Sequence, residues 1–131
     1  RDKVGKWQYF YKKGALFYEE FYETGKLSGK SIVYYKSSGK IAEESIYKNG
    51  LLHGYSKNFS DKGILLEEVL YEKGKANGLA KYFELNGKLK ERGHYKAGIR
   101  VGKWEFYLDG EVVDDQKKKE ALKNKIPQKN R

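Results

Sequence analysis

Apolar and polar residues alternate along this chain only in short bursts, and the bursts recur. "GKWQYFYKKG" (5–14), "GLAKYFELNG" (78–87) and "GKWEFYLDG" (102–110) place aromatic residues partly two apart, as at Trp7, Tyr9 and Tyr11 or Trp104 and Phe106. Two is the side-chain period of a half-buried strand, whereas a helix repeats near 3.6. "ILLEEVLY" and "KLKERGHY" follow as second strands, with an alternation too imperfect to assign every residue a face. Between first and second strands lie turns such as "SSGK", "ELNGK" and "LDGE", where glycine supplies positive φ at little cost. The pattern predicts an all-β chain made of one hairpin used repeatedly.

The repeat is explicit. "YETGKLSG" (22–29) returns as "YKNGLLHG" (47–54), "YEKGKANG" (71–78) and "YKAGIRVG" (95–102), each reading Y-x-x-G-x-x-x-G. Its tyrosines are Tyr22, Tyr47, Tyr71 and Tyr95, and its last glycines, preceded by Gly5, are Gly29, Gly54, Gly78 and Gly102, spaced by 24, 25, 24 and 24 residues. A second series, Gly14, Gly39, Gly63, Gly87 and Gly110, lies between them, four residues after Phe10, Tyr35, Phe59, Phe83 and Phe106. On this alignment the one long interval carries its extra residue between Gly29 and Tyr35. The units run over about 5–28, 29–53, 54–77, 78–101 and a closing half at 102–113, and a fixed period of this length is the mark of a stacked repeat array.

The repeat disposes of one tempting motif. Gly29-Lys30-Ser31 resembles the end of the phosphate-cradling loop G-x-x-x-x-G-K-[ST], but Thr24 stands where its first glycine belongs. The equivalent joints continue with Tyr55-Ser56, Leu79-Ala80 and Lys103-Trp104, so the stretch is one copy of a structural joint.

The unit carried by Gly5, Trp7, Gly14, Leu16, Tyr22, Gly25 and Gly29 and their downstream counterparts resembles the MORN-repeat variant of bacterial proteins, of the YwqK-type antitoxin-like family. The resemblance covers residues 5 to about 113. It implies an elongated, single-layer antiparallel sheet of about five stacked β-hairpins, in a bacterial protein whose partner is another protein, such as a toxin or a cell-envelope component. The unit departs from the Y-x-G-x-W-x-x-G-x-x-x-G-x-G pattern of eukaryotic MORN proteins.

Composition sharpens this picture. Leu, Ile, Val and Phe supply only 30 of 131 residues, whereas 12 Tyr, 6 Phe and 2 Trp supply aromatic mass with polar tips, which suits a thin sheet. Cysteine is absent, removing disulfides and thiolate chemistry. No apolar run approaches the ~20 residues of a membrane-spanning helix. Methionine is absent as well, so Arg1 reads as a trimmed N-terminus, which favours a secreted or cell-envelope protein over a cytoplasmic one.

No catalytic, cofactor-binding or metal-binding residue is assigned. His53 and His94 fall at different repeat positions without neighbouring ligands in sequence. The acidic pairs Glu19/Glu20, Glu43/Glu44 and Glu67/Glu68, with Glu91-Arg92 as the fourth, read as one stacked position, a ladder that repeat lysines neutralise. The chain therefore reads as a non-enzymatic protein-interaction module, with Trp7, Tyr9, Tyr11, Trp104 and Tyr107 as candidate contacts. The alternative is electrostatic attachment to an anionic surface, given a net charge of +10. Membrane lipid suits it better than nucleic acid, because lysines far outnumber arginines. A lysine patch on one face would favour attachment, and an even scatter would favour the interaction module. Residues 114–131, with seven basic against three acidic residues, read as a capping helix ended by Pro127 or as a solvated tail.

Overall fold

The computed structural model describes residues 2–113 and Lys123. Apart from Lys123, the expected capping helix or tail lies outside the described residues. Among the described residues, twelve strands form one open antiparallel sheet: β1 (Gly5–Phe10), β2 (Leu16–Glu23), β3 (Lys26–Leu27), β4 (Gly29–Tyr34), β5 (Ile41–Lys48), β6 (Leu51–Leu52), β7 (Gly54–Phe59), β8 (Leu65–Glu72), β9 (Lys75–Phe83), β10 (Leu89–Lys96), β11 (Ile99–Leu108) and β12 (Glu111–Val113). The order β1-β2-β4-β5-β7-β8-β9-β10-β11-β12, with β3 on β2 and β6 on β5, is a meander in which β2 also pairs with β4 beyond the short β3, β5 with β7 beyond the short β6, and the remaining pairs are consecutive. No second layer covers either face among the described residues, and Val69, Ala80 and Phe106 are the only buried apolar side chains there. The expected single-layer stack of hairpins is the observed fold.

The two kinds of turn occupy opposite rims. Each Y-x-x-G segment ends in a two-residue turn with positive φ at both central residues: Thr24-Gly25, Asn49-Gly50, Lys73-Gly74 and Ala97-Gly98. That geometry matches the twist of the strands it joins. The second N–H of each turn donates to the unit before it: Gly25 to Lys3 O at 2.9 Å, Gly50 to Leu27 O at 2.9 Å, Gly74 to Leu52 O at 2.8 Å and Gly98 to Ala76 O at 2.8 Å. One recurring glycine thus shapes the turn and ties successive units together.

The other rim corrects two expectations. Loops closing on Gly14, Gly63 and Gly87 have three residues, with Ser60 N–H donating to Ile64 O and Glu84 N–H to Lys88 O. In the second unit Tyr35 N–H reaches Lys40 O, so the extra residue lies in the loop before Gly39 and not between Gly29 and Tyr35. Tyr34, not Tyr35, occupies the register of Phe10, Phe59 and Phe83. Gly110 also departs from its series: with Asp109 it makes a two-residue turn of positive φ between Leu108 and Glu111.

Register divides the side chains between two faces. On one, cross-strand neighbours run from edge to edge as Gln8, Glu19, Ile32, Glu44, Lys57, Glu68, Lys81, Arg92 and Glu105. The acidic pairs are therefore out of step by one. Glu19, Glu44 and Glu68 share this row with Arg92, whereas Glu20 is on the opposite face, because Tyr22 follows Glu19 by three residues and Tyr47 follows Glu43 by four. Ion pairs cross the row at Lys6–Glu19 (3.1 Å), Lys30–Glu44 (3.6 Å), Lys57–Glu68 (3.8 Å) and Arg92–Glu105 (2.5 Å). Exposed pairs of this kind each contribute a fraction of a kcal/mol.

Glu19 is the exception, since it is buried at 7% exposure. Its carboxylate accepts from the Tyr34 hydroxyl at 2.6 Å and from Gln8 Nε2 at 2.7 Å, besides the Lys6 ammonium. The Tyr34 hydrogen bond foremost, then those of Gln8 and Lys6, hold the Glu19 carboxyl below the usual carboxylate range against the opposing effect of burial. Removing the acceptor in Glu19→Ala strands these donors, and a loss of ~1–3 kcal/mol is expected in denaturant unfolding at neutral pH. A depressed carboxyl stabilises the fold above its unfolded pKa and ceases to do so as pH falls through its folded value. The deficit of the variant is therefore expected to shrink below about pH 4.

Candidate binding trough

The opposite face holds the repeat tyrosines. Tyr22, Tyr47, Tyr71 and Tyr95 each lie across from a joint glycine, Gly5, Gly29, Gly54 and Gly78, whose missing side chain leaves room for the ring. On the other side stand Leu27, Leu52, Ala76 and Arg100. The four tyrosines are half-buried and form one bank. A parallel row, Tyr18, Val33, Glu43, Asn58, Glu67, Tyr82 and Glu91, forms the other. Between the banks the floor is made of small residues: Ser31 beside Ser45, then Ser56, Val69, Ala80 and Gly93.

The result is a shallow trough running across the strands. It opens into a hollow of about 490 Å³ around Ser31 and Ser45 and another of about 380 Å³ around Val69 and Tyr71. Burial pushes the Tyr18, Tyr71 and Tyr82 hydroxyls above their ordinary pKa, so these rings stay neutral and polar-tipped at physiological pH. The Ser31 hydroxyl is buried in the floor without a hydrogen-bond partner.

A tryptophan closes each end. Trp7 and Trp104 stand two residues after a joint glycine, at the position that is Ser31, Ser56 and Ala80 in the middle units. Trp104 lies over Gly93, stacks near Tyr82 at 6.4 Å and meets Tyr95 edge-on at 5.1 Å. Trp7 faces Glu20 instead of a glycine and is 40% exposed, with Tyr22 edge-on at 6.5 Å. Each tryptophan carries a cation from its own chain: Lys3 Nζ at 4.8 Å from the Trp7 ring and the Arg100 guanidinium at 3.9 Å from Trp104.

The five candidate contacts are thereby separated. Trp7 and Tyr9 share the tyrosine face, with Tyr9 stacked on Tyr18 at 4.2 Å. Trp104 lies on the same face at the far end. Tyr11 sits beside the first loop against Phe17 at 4.8 Å, and Tyr107 is on the charged face, donating to Glu105 at 3.0 Å. Of the fifteen glycines Gly93 alone has no positive φ, and it belongs to none of the glycine series; that isolation was the available signal.

His53 is half-buried at the irregularity before β7, and His94 is exposed on the charged face. No group of three or more His, Asp or Glu among the described residues could hold a metal ion, and no helix there is long and apolar enough to cross a membrane.

Comparison with known proteins agrees with the repeat. The family model described as MORN repeat variant matches residues 76–97, the β9–β10 hairpin with its flanking turn, which supports a MORN-repeat protein. No curated protein matches the chain. Among solved structures, the chain is similar to the crystal structure of accessory secretory protein 1, 2 and 3 in Streptococcus pneumoniae. The identity is 18% and the TM-score 0.45, over 82% of this chain and 20% of that one, so the chain spans about a fifth of that protein's length.

Proposed function

We propose that this chain is a non-enzymatic binding module whose trough takes an extended segment of a protein partner. The observation carrying this reading is the row of small floor residues between a tyrosine bank and a carboxylate bank, ended by Trp7 and Trp104. Aromatic rings with polar tips are the side chains that contribute most at protein interfaces. MORN repeats generally mediate protein or membrane interactions, and the match at residues 76–97 fits this role. The resemblance to antitoxin-like bacterial proteins extends the proposal to a toxin or a cell-envelope component as partner.

A second reading, attachment to an anionic surface, draws on the charged face, where Lys6, Lys30, Lys57, Lys81 and Lys103 collect. The lysines do favour one face, as that reading asks, but glutamates pair with most of the central row. The two readings separate in a pull-down from bacterial lysate and envelope fractions, washed at low salt and then at about 0.5 M, where screening is steep. The trough reading expects a protein retained through the salt step and lost from the Ser31→Trp/Ser56→Trp variant. Those serines hold the repeat position of Trp7 and Trp104 but face Ser45 and Val69 instead of a glycine or an open edge. The variant is therefore read only where its unfolding midpoint shows it folded, and Tyr47→Ala/Tyr71→Ala, which removes the bank, gives the same reading otherwise. Capture of lipid or nucleic acid alone, all released by salt, would move the function to the charged face.

A further inference from the structure

The two ends of the trough show, within the molecule, what the middle is built to receive. Lys3 and Arg100 stand at one repeat position, two residues before Gly5 and Gly102. Each lies against a tryptophan ring and a tyrosine, with a glutamate on the same face. Lys3 Nζ lies 4.8 Å from the Trp7 ring and 5.0 Å from that of Tyr22, and donates to the Tyr9 hydroxyl at 3.2 Å. Arg100 lies over Trp104, donates to Glu91 at 2.6 Å and contacts Tyr95. In the middle units the position is Leu27, Leu52 or Ala76, so Tyr47 and Tyr71 have no such cation of their own, although Glu43 and Glu67 remain beside them.

The charge balance of the face agrees. The bank and floor positions carry Glu20, Glu43, Glu67 and Glu91 against Lys3 and Arg100, while the strand lysines lie on the reverse. A chain of net charge +10 thus keeps one face acidic and aromatic. The first hollow offers Tyr18, Glu20, Glu43 and Tyr47 over the unpartnered Ser31 hydroxyl. The second offers Glu67, Tyr71, Tyr82 and Tyr95. Aromatic faces joined to a carboxylate in a partly desolvated hollow favour an ammonium or guanidinium over a neutral group of similar length.

Spacing narrows the occupant further. Adjacent strands lie about 4.8 Å apart, so one two-strand unit advances about 9.6 Å along the trough. A polyproline II segment advances about 9.3 Å in three residues, which would bring every third side chain to the same place in successive units. The two hollows, centred on β4 and β9, are four strands apart. That is about 19 Å, or six such residues.

We infer that the trough receives the lysine or arginine side chains of an extended, polyproline II-like segment of its partner, one at every third position. This rests on the trough being the binding site and adds the chemistry and spacing of what binds. The stems lie along the tyrosine bank, and the charged ends reach Glu20, Glu43 and Glu67.

The test is fluorescence anisotropy at physiological salt with labelled peptides of three Lys-Pro-Pro triplets. Comparison peptides carry norleucine or glutamate in place of lysine, or hold the same three lysines in one block before six prolines. The lysine triplet peptide is expected to bind at least about tenfold tighter than the norleucine peptide and tighter than the block peptide. It is also expected to weaken by a similar factor on Glu43→Gln/Glu67→Gln, and the glutamate peptide should not compete. Should that double variant fail to fold, the norleucine comparison on the unaltered chain decides the same point. Equal binding of lysine and norleucine peptides, both lost in Ser31→Trp/Ser56→Trp, would overturn the cation preference and leave the trough as the site. Binding indifferent to the filled trough, or preference for the glutamate peptide, would overturn both.

Discussion

Gly93→Ala is expected to cost about 2–4 kcal/mol of folding stability, by overpacking and by displacing a half-buried indole. Gly93 is buried, and a methyl group there would collide with Cγ, Cδ2 and Cε2 of Trp104. The ring has little freedom to retreat: Tyr82, Tyr95 and the Arg100 guanidinium surround it. The backbone at Gly93 is not in the left-handed region, so the penalty comes from the indole and not from φ. Denaturant unfolding followed by tryptophan fluorescence should show a lower midpoint and a more solvated Trp104. The middle units supply the matched control. There, a side chain at the Gly93 position goes with a small partner, as Ser45 with Ser31 and Val69 with Ser56 and Ala80. Gly93→Val/Trp104→Ser is therefore expected to recover much of what either change loses alone, with the coupling read from a double-mutant cycle. Simple additivity would mean that the two positions are not packed as described.

The second large effect is alkaline unfolding. Six tyrosines, Tyr18, Tyr22, Tyr34, Tyr71, Tyr82 and Tyr107, have hydroxyls raised above their ordinary value, foremost by burial, and Tyr34 is pushed up to about 12. A group whose folded pKa exceeds its unfolded one lends stability that is complete below the unfolded value and fades as pH rises toward the folded one. Stability should thus be flat up to about pH 9.5 and fall steeply between about 10 and 12, as the unfolded chain ionises its phenols first. Midpoints from denaturant titrations across that range, with phenolate absorbance at 295 nm as the second readout, check it. Tyr34→Phe should lower the neutral midpoint by about 1 kcal/mol through the lost Glu19 bond and reduce the alkaline slope. A slope unchanged in that variant would remove Tyr34 from the account.

Much of this fold was legible because its turns are spelled in residues that do one thing. Y-x-x-G announced a turn, and at Thr24-Gly25 and its three repeats the turn is there. The faces were not legible, and the reason is local. Each second strand carries a bulge just after its leading aliphatic, at Phe17, Ala42, Leu66 and Lys90, which shifts alternation by one residue. Period-two reading fails across such a point. The same shift hid the trough: Glu20, Ser45, Val69 and Gly93 occupy one register position but share no chemistry. Trp7 and Trp104 were visible as aromatic contacts, but their pairing with a cation depended on Lys3 and Arg100 lying next to them in space. Tyr107 looked equivalent to its neighbours in sequence, and only the pleat placed it on the reverse.

The bond from each Gly25-type N–H to the preceding unit has a consequence for how such a chain changes over generations. Among the described residues, the ties of the sheet join a unit to itself or to its neighbour, and the same backbone position accepts from each following unit. Inserting or deleting a stretch of one repeat period therefore leaves all other ties in place, with no long-range pairing to rebuild. The array works as a measuring rod graduated in steps of about 9.6 Å. On the proposed binding role, its reach along a partner is lengthened or shortened one graduation at a time, while the chemistry at each mark is altered separately.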